Sequence, residues 1–133
     1  MHYFTSYYFR IIEAPVIGYV GEEERDGNKY DLVFASWGEK QPNRKMDQYI
    51  IWINRETGLI EHSEFTVREM PGSFMKGTVT NEDFRNINGV IIPFKQTERL
   101  SLDGKSFFHK WTINELSYDQ FDKSLVQIIQ EAK

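Results

Sequence analysis

The sequence contains no cysteine, no long apolar run and no excess of positive charge. Without cysteine there is no disulfide framework, no thiolate nucleophile and no cysteine-based zinc site. The absence of cysteine is compatible with any cellular compartment. No apolar run approaches the roughly 20 residues that a membrane-spanning helix needs. The net charge of -4 argues against a nucleic-acid binder that neutralises phosphates. The 9 glycines are isolated from one another, so no glycine-rich phosphate-binding loop is predicted.

What is present predicts one folded domain over residues 1–133. The length of 133 residues suits a single core that folds without disulfides, and the 15% aromatic content is typical of strands. The first ten residues, MHYFTSYYFR, have no basic start, apolar centre or cleavage site, so we expect no signal peptide there. The chain is then either cytoplasmic or the mature part of a longer protein.

Short apolar runs separated by turn residues extend from Val16 to about Leu116. Three Asp-Gly or Asn-Gly pairs, at residues 26–27, 88–89 and 103–104, are strong signals for tight hairpin turns. The pattern predicts a mainly β (α+β) fold: a curved antiparallel meander of about seven to eight strands, forming an open half-barrel.

Two details of the meander are predicted around residues 73–100. Ser73–Thr80 is expected to be a strand and Asn81–Asn86 a short connection before the next hairpin. Pro93 lies inside the run Val90–Leu100 and cannot donate a ladder hydrogen bond, so this run is expected to be an edge strand or to contain a bulge.

The tail has a different period. Tyr118, Phe121, Leu125 and Ile128 recur at helical spacing, and Ser117 begins a capping-box pattern. We therefore predict one amphipathic helix over residues 117–131, lying against one face of the sheet.

Several turn-centred segments resemble periplasmic lipoprotein-carrier (LolA-like) domains, which sort outer-membrane lipoproteins. The segments are Tyr49–Ile60 with its N-x-x-T-G turn, Asn88–Phe94 with its "G, hydrophobic, x, P" entry, Leu102–Gly104, and Trp111–Leu116. The resemblance covers roughly residues 30–116, and these four segments carry it. Such domains carry further strands and a helix before this part, so the chain resembles the C-terminal portion of one, although its regular terminal helix departs from the pattern.

The resemblance implies an unclosed β-barrel with helices against a concave apolar face where acyl chains lie. It also implies a periplasmic or cell-envelope setting and no catalysis. The primary functional hypothesis is therefore non-enzymatic binding of a lipid or another apolar ligand, with no cofactor and no metal.

Aromatic side chains on successive predicted strands are the candidate ligand-binding residues. They either line an apolar pocket or form the core beneath the terminal helix, and the sequence leaves both interpretations open. The predicted set is Phe34, Trp52, Phe65, Phe74, Phe94, Phe107, His109 and Trp111.

A second hypothesis is a homodimeric interaction module without a ligand. Tyr3, Tyr7, Tyr8 and Phe9 form an aromatic segment suited to pairing with a sheet edge or a second chain.

A third hypothesis is a His-dependent hydrolase. His62 and Glu64 lie on the same side of a predicted strand, and His109 is the alternative base, pairing with a carboxylate that orients it. An exposed strand face is the favoured interpretation of the first pair, and a hydrogen-bonded core or cavity-lining histidine is the favoured interpretation of the second. The acidic run Glu22–Asp26 and the basic loop Gln41–Lys45 are interpreted as solvated segments.

Overall fold

The computed structural model describes residues 11–38, 48–66, 76–100 and 109–117. These residues form one open sheet of seven antiparallel strands, in which every strand pairs with its neighbour in sequence. The strands are β1 (Val16–Arg25), β2 (Asn28–Ser36), β3 (Gln48–Asn54), β4 (Ile60–Thr66), β5 (Lys76–Ile87), β6 (Val90–Arg99) and β7 (His109–Thr112).

The mainly β class and the antiparallel meander are thereby confirmed. The predicted helix over 117–131 lies outside the described residues except at Ser117. Tyr3, Tyr7, Tyr8, Phe9, Phe74, Phe107 and the loop Gln41–Lys45 lie outside them as well.

The two predicted hairpin turns that fall on described residues are confirmed. Asp26 and Gly27 have φ values of 50° and 79°, and Asn88 and Gly89 have 52° and 90°. Two consecutive positive φ values define the turn type whose twist matches that of the flanking strands, and Gly and Asn tolerate them best.

The turn between β3 and β4 is held by Asn54. Its side-chain oxygen accepts from the backbone N–H of Glu56 (2.9 Å) and of Thr57 (3.3 Å), and its carbonyl accepts from Gly58 (2.8 Å). An Asn that bonds its own backbone in this way is a strong turn former. The predicted turn at residues 54–58 is therefore also confirmed.

The prediction for residues 73–86 was wrong in one respect. Asn81–Asn86 is not a connection but the second half of β5, which continues without interruption to Ile87. Asn81, Glu82 and Asp83 have low strand propensity, but pairing with β6 on both sides of Asp83 overrides it.

Pro93 does not mark an edge strand, because β6 lies between β5 and β7. However, the backbone N–H of Ile113 donates to the carbonyl of Phe94 on the β7 side (2.8 Å), so the neighbouring Pro93 turns its N towards β5, where it is paired with Phe84. The missing N–H of Pro93 therefore removes one ladder hydrogen bond between β6 and β5.

The register assigns the side chains of β2 to β7 to two sides of the sheet, because directly paired residues point to the same side and neighbours along a strand alternate. We call "apolar face" the side that carries Val33, Ala35, Tyr49, Ile51 and Phe65, and "mixed face" the side that carries Tyr30, Trp52, His62 and Thr80.

The hydrophobic core lies on the apolar face, where Ile11 and Ala14, from the turn before β1, join Ala35, Tyr49 and Ile51. Burial of these side chains is the main stabilising contribution to the described fold.

Candidate functional site

The predicted ligand-binding residues are divided between the two faces. Phe65, Phe94, His109 and Trp111 belong to the apolar face, whereas Phe34 and Trp52 belong to the mixed face. The sheet thus brings four of the eight to one side, and Phe34 and Trp52 do not share a surface with them.

Tyr49 and Phe65 lie at the centre of the apolar face. Tyr49 is buried and has ring contacts with Trp37 (5.9 Å between centroids) and with Phe65 (6.2 Å). Other apolar side chains pack around this group and stay partly exposed: Val33, Trp37, Ile53, Ile60 and Phe65. The apolar face therefore consists of a buried core beside these five partly exposed side chains, which we call the apolar margin.

Phe65 lies flat against the backbone of the next strand. It is paired with Gly77, and a Cβ added at Gly77 would stand 2.4 Å from the Cζ atom of the Phe65 ring. Only glycine leaves room for the ring in this position. Sequence reasoning missed Gly77; the available signal was a glycine inside a strand that follows an aromatic strand.

Buried polar side chains border the apolar core on β4, β5 and β6. Asn81 accepts from the Gln96 amide (3.0 Å) and donates to the Ile60 carbonyl (3.0 Å). Ser63, which faces the same side, is also buried. An apolar surface with a few placed polar groups is the usual composition of a small-molecule site.

Glu98, His109 and Trp111 form a group where β6 meets β7. The Nδ1 atom of His109 lies 2.9 Å from Oε2 of Glu98, and its ring stacks on Trp111 with centroids 5.9 Å apart and planes inclined by 27°. The His109 side chain is 61% exposed, and that of Glu98 is 15% exposed. The carboxylate partner that the hydrolase hypothesis required for His109 is therefore present.

The indole Nε1 of Trp111 is buried and has no hydrogen-bond partner. A buried donor without an acceptor is uncommon and costs about 1–3 kcal/mol of desolvation. It is one of three such side-chain atoms in the described part of the chain; the others are Thr66 Oγ1 and Thr97 Oγ1.

The mixed face carries a second aromatic group. The Tyr30 ring lies 5.6 Å from that of Trp52 and 5.4 Å from that of His62. The Tyr30 hydroxyl donates to Glu61 (2.6 Å), which also accepts from Asn54 (2.9 Å). Glu61 is the extra residue of a β-bulge in β4, and this bulge brings its carboxylate to the Tyr30 hydroxyl.

Burial sets the protonation of this second group. It raises the pKa of Tyr30 to about 12, with the hydrogen bond to Glu61 adding to the effect. Burial also lowers the pKa of His62 below its ordinary value, and the charge of Arg25 acts in the same direction. At neutral pH the group therefore contains a phenol and an uncharged imidazole.

The predicted His62–Glu64 pair shares the mixed face but is not hydrogen-bonded. His62 Nδ1 lies 3.1 Å from the Thr80 hydroxyl, and Glu64 accepts from the Trp52 indole at 3.3 Å. Each member of the pair thus has another partner, so Glu64 does not orient His62 in this structure.

The acidic run at the first hairpin is exposed at Glu22, Glu23 and Glu24, as a solvated segment should be. Members of this run nevertheless form ion pairs: Arg55 pairs with Glu22 and with Asp31 (2.8 Å), and Arg25 lies 3.7 Å from Asp26. Among the described residues, no group of three or more potential ligands could hold a metal ion. Within the same ranges, no helix is long and apolar enough to cross a membrane.

The comparisons with known proteins add no relative. No protein-family model, no curated protein and no solved structure matches the chain. The likeness to lipoprotein carriers therefore rests on the sequence motifs.

Proposed function

We propose that the chain is a non-enzymatic binding domain that holds a lipid or another apolar ligand on the apolar face of its sheet. The observation that carries the proposal is the incomplete burial of this face: apolar side chains of β2, β3 and β4 surround the core cluster and remain partly exposed. Apolar surface of this kind beside a closed core suits a ligand that completes the burial.

The buried Asn81–Gln96 pair supports the same proposal, because it places polar atoms at one border of the apolar surface. The half-barrel shape, the lipoprotein-carrier likeness and the envelope setting belong to the proposal too, and they are supported by the sequence motifs.

Two measurements test the proposal. An organic-solvent extract of the purified chain is analysed for lipid by mass spectrometry, and N-phenyl-1-naphthylamine, a neutral apolar fluorophore, is titrated into the chain. Ile53→Thr removes apolar surface from the apolar face while keeping a β-branched residue in β3. We expect it to weaken fluorophore binding about fivefold, the equivalent of roughly 1 kcal/mol of lost burial.

Ile50→Thr is the matched control, because Ile50 lies on the same strand, is also partly buried and points to the mixed face. It should leave fluorophore binding unchanged. An extract without lipid together with no fluorophore binding, or equal weakening by both variants, contradicts the proposal.

A homodimer formed through β1 is the second candidate function. In the described sheet β1 is an edge strand, and Ile17, Tyr19 and Val20 are each more than half exposed, at 52%, 61% and 53%. An edge strand with exposed apolar side chains offers its backbone to a second chain. The bulge between Tyr19 and Gly21 and the glutamates that follow oppose such pairing.

Sizing chromatography over a dilution series tests the dimer. A dimer at micromolar concentration that dissociates on dilution, and that Val20→Lys abolishes, supports the second candidate. A monomer at all concentrations excludes it and leaves the ligand-binding proposal untouched.

The hydrolase hypothesis stays a prediction that rests on His109 with Glu98. If a hydrolase activity is detected, His109→Ala should abolish it, and turnover that survives both His109→Ala and His62→Ala eliminates the hypothesis.

A further inference from the structure

We infer that Trp111 and His109, with Glu98 as the positioning residue, bind the polar end of the ligand and select an uncharged hydroxyl group. The inference rests on the proposed function, because it names the ligand class for the same face of the sheet. Glu98, His109 and Trp111 all lie on the apolar face, with Trp111 paired to Gln96 and His109 paired to Glu98.

Trp111 supplies a hydrogen-bond donor that no residue in the described part of the chain uses. Its Nε1 atom is buried and unpartnered, and an indole N–H can only donate. The group that satisfies it must therefore carry an acceptor oxygen or nitrogen. The gain from such a bond is larger than for an exposed donor, because the cost of removing the N–H from water is already included in the folded state.

His109 supplies an acceptor. The Glu98 carboxylate accepts only, so the Nδ1 atom that faces it at 2.9 Å is the ring nitrogen that donates. In the tautomer with a single proton on Nδ1, the acceptor lone pair lies on Nε2. The ring position is fixed from two sides, by the carboxylate and by the stacked indole of Trp111.

A hydroxyl group is the ligand head that matches one donor and one acceptor on adjacent rings, because its oxygen accepts and its hydrogen donates. An ether oxygen satisfies the Trp111 donor but leaves the Nε2 lone pair of His109 unused. A carboxylate satisfies the donor, but it faces that lone pair and the negative charge of Glu98, which are both unfavourable. The geometry therefore favours an alcohol over an ether and over a carboxylate of the same chain length.

Access to the buried Nε1 atom requires a displacement at the β7 edge of the sheet. β7 has four residues and is an edge strand of the described sheet, so few ladder hydrogen bonds resist a small displacement. The partly exposed apolar margin and Trp111 lie on the same face of the sheet, with β5 and β6 between the margin and β7.

The test compares 1-decanol, 1-methoxydecane and decanoate, which share a ten-carbon chain and differ in the head. Each is titrated into the full chain by isothermal calorimetry at neutral pH. We expect decanol to bind about tenfold more tightly than methoxydecane, the equivalent of one hydrogen bond, and decanoate to bind more weakly than decanol. In a nitrogen–proton correlation spectrum, decanol should move the indole resonance of Trp111 downfield, a measurement that needs no variant.

Trp111→Phe and His109→Phe keep an aromatic ring and remove the polar atoms. His109→Phe removes the acceptor that only decanol uses, so it should abolish the preference for decanol while leaving methoxydecane binding within about twofold. Trp111→Phe removes the donor that both oxygens use, so it should weaken decanol and methoxydecane binding by a similar factor. Trp52→Phe and His62→Phe are the matched controls, because these two rings also lie 5.9 Å apart but on the mixed face. Both controls should retain the preference.

The outcomes distinguish failure of ligand binding from failure of hydroxyl selection. If none of the three compounds binds, the proposed function itself fails. If all three bind equally, if the preference for decanol survives His109→Phe, or if Trp111→Phe leaves decanol binding unchanged, ligand binding stands and the hydroxyl-selecting group is refuted.

Discussion

Among single residues, the contact between Phe65 and Gly77 is the tightest constraint on the apolar face. In Gly77→Ala the new Cβ would stand 2.4–2.5 Å from two atoms of the Phe65 ring, so the ring must move away from the backbone of β5. We expect Gly77→Ala to lower the free energy of unfolding by about 1–3 kcal/mol, the usual cost of overpacking. Urea denaturation followed by tryptophan fluorescence measures it.

Gly18→Ala is the control for this change, because Gly18 also lies in a strand and has no atom within 4 Å of the added Cβ. It should be neutral or slightly stabilising. Equal stability of Gly77→Ala and Gly18→Ala would show that Phe65 does not rest on Gly77.

His62 makes the free energy of unfolding depend on pH. Its pKa in the folded chain is lowered, chiefly by burial, so the unfolded chain binds the proton more tightly. The corresponding stability is present above the unfolded-state pKa of about 6.5 and is lost as the pH falls through the folded-state pKa. We expect an NMR titration to place the His62 pKa below 6.5, and His62→Gln to reduce the loss of stability on acidification.

The test compares the free energy of unfolding of the wild type with that of His62→Gln at pH 7 and at pH 5. A stability difference between the two proteins that is the same at both pH values would mean that His62 titrates alike in the folded and unfolded chains.

Among the elements, Arg55 connects three strands by charge. Glu22 and Asp31 are directly paired across β1 and β2, and Arg55, just after β3, forms ion pairs with both. In Arg55→Gln the two carboxylates face each other without a counterion, and like charges at paired positions weaken a strand pair. We expect faster amide hydrogen exchange in β1, and we expect salt to reduce the effect by screening.

Arg85→Gln is the comparison variant, because the ion pair of Arg85 joins Asp83 on the same strand and connects no strand to β1. Exchange in β1 should be unchanged by it. Faster exchange of β1 in both variants would indicate a general loss of stability instead of a local one.

The elements also show where prediction from sequence succeeded and where it failed. Turns at Asp26-Gly27, Asn88-Gly89 and Asn54–Gly58 were predictable because their conformations demand particular residues. The second half of β5 was not, because Asn81, Glu82 and Asp83 are typical of connections. Asn81 and Glu82 are held in the strand by pairing with β6, and Asp83, which the register between β5 and β6 leaves out, continues the strand with a φ of 55°.

For the whole molecule, the open sheet separates two surfaces that the sequence did not separate. β3 is apolar on both sides, so alternation alone could not assign Trp52 to the mixed face and Tyr49 to the apolar face. Their sides follow from pairing with Leu32 and Ala35 on β2. Register depends on contacts between strands, which a period-two pattern with apolar residues at every position does not encode.

The same architecture predicts a gradient of local stability across the sheet. β3 is flanked by β2 and β4 and contains the buried residues Gln48, Tyr49, Ile51 and Asn54, whereas most of β1 is exposed and its outer side has no strand in the described sheet. Amides of β3 should therefore exchange slowest and those of β1 among the fastest in the described strands, because protection follows burial and pairing. Native-state hydrogen exchange at low micromolar concentration measures this gradient.

Repeating the hydrogen exchange at a hundredfold higher protein concentration distinguishes a homodimer formed through β1 from a monomer that binds a ligand on its apolar face. If β1 pairs with a second copy, its protection rises with concentration while that of β3 stays constant. If the chain acts through its apolar face instead, concentration has no effect, and bound decanol slows exchange in β6 and β7, where Trp111 lies. Equal protection of β1 and β3 at low concentration would contradict the gradient, because it would require the outer side of β1 to be paired already.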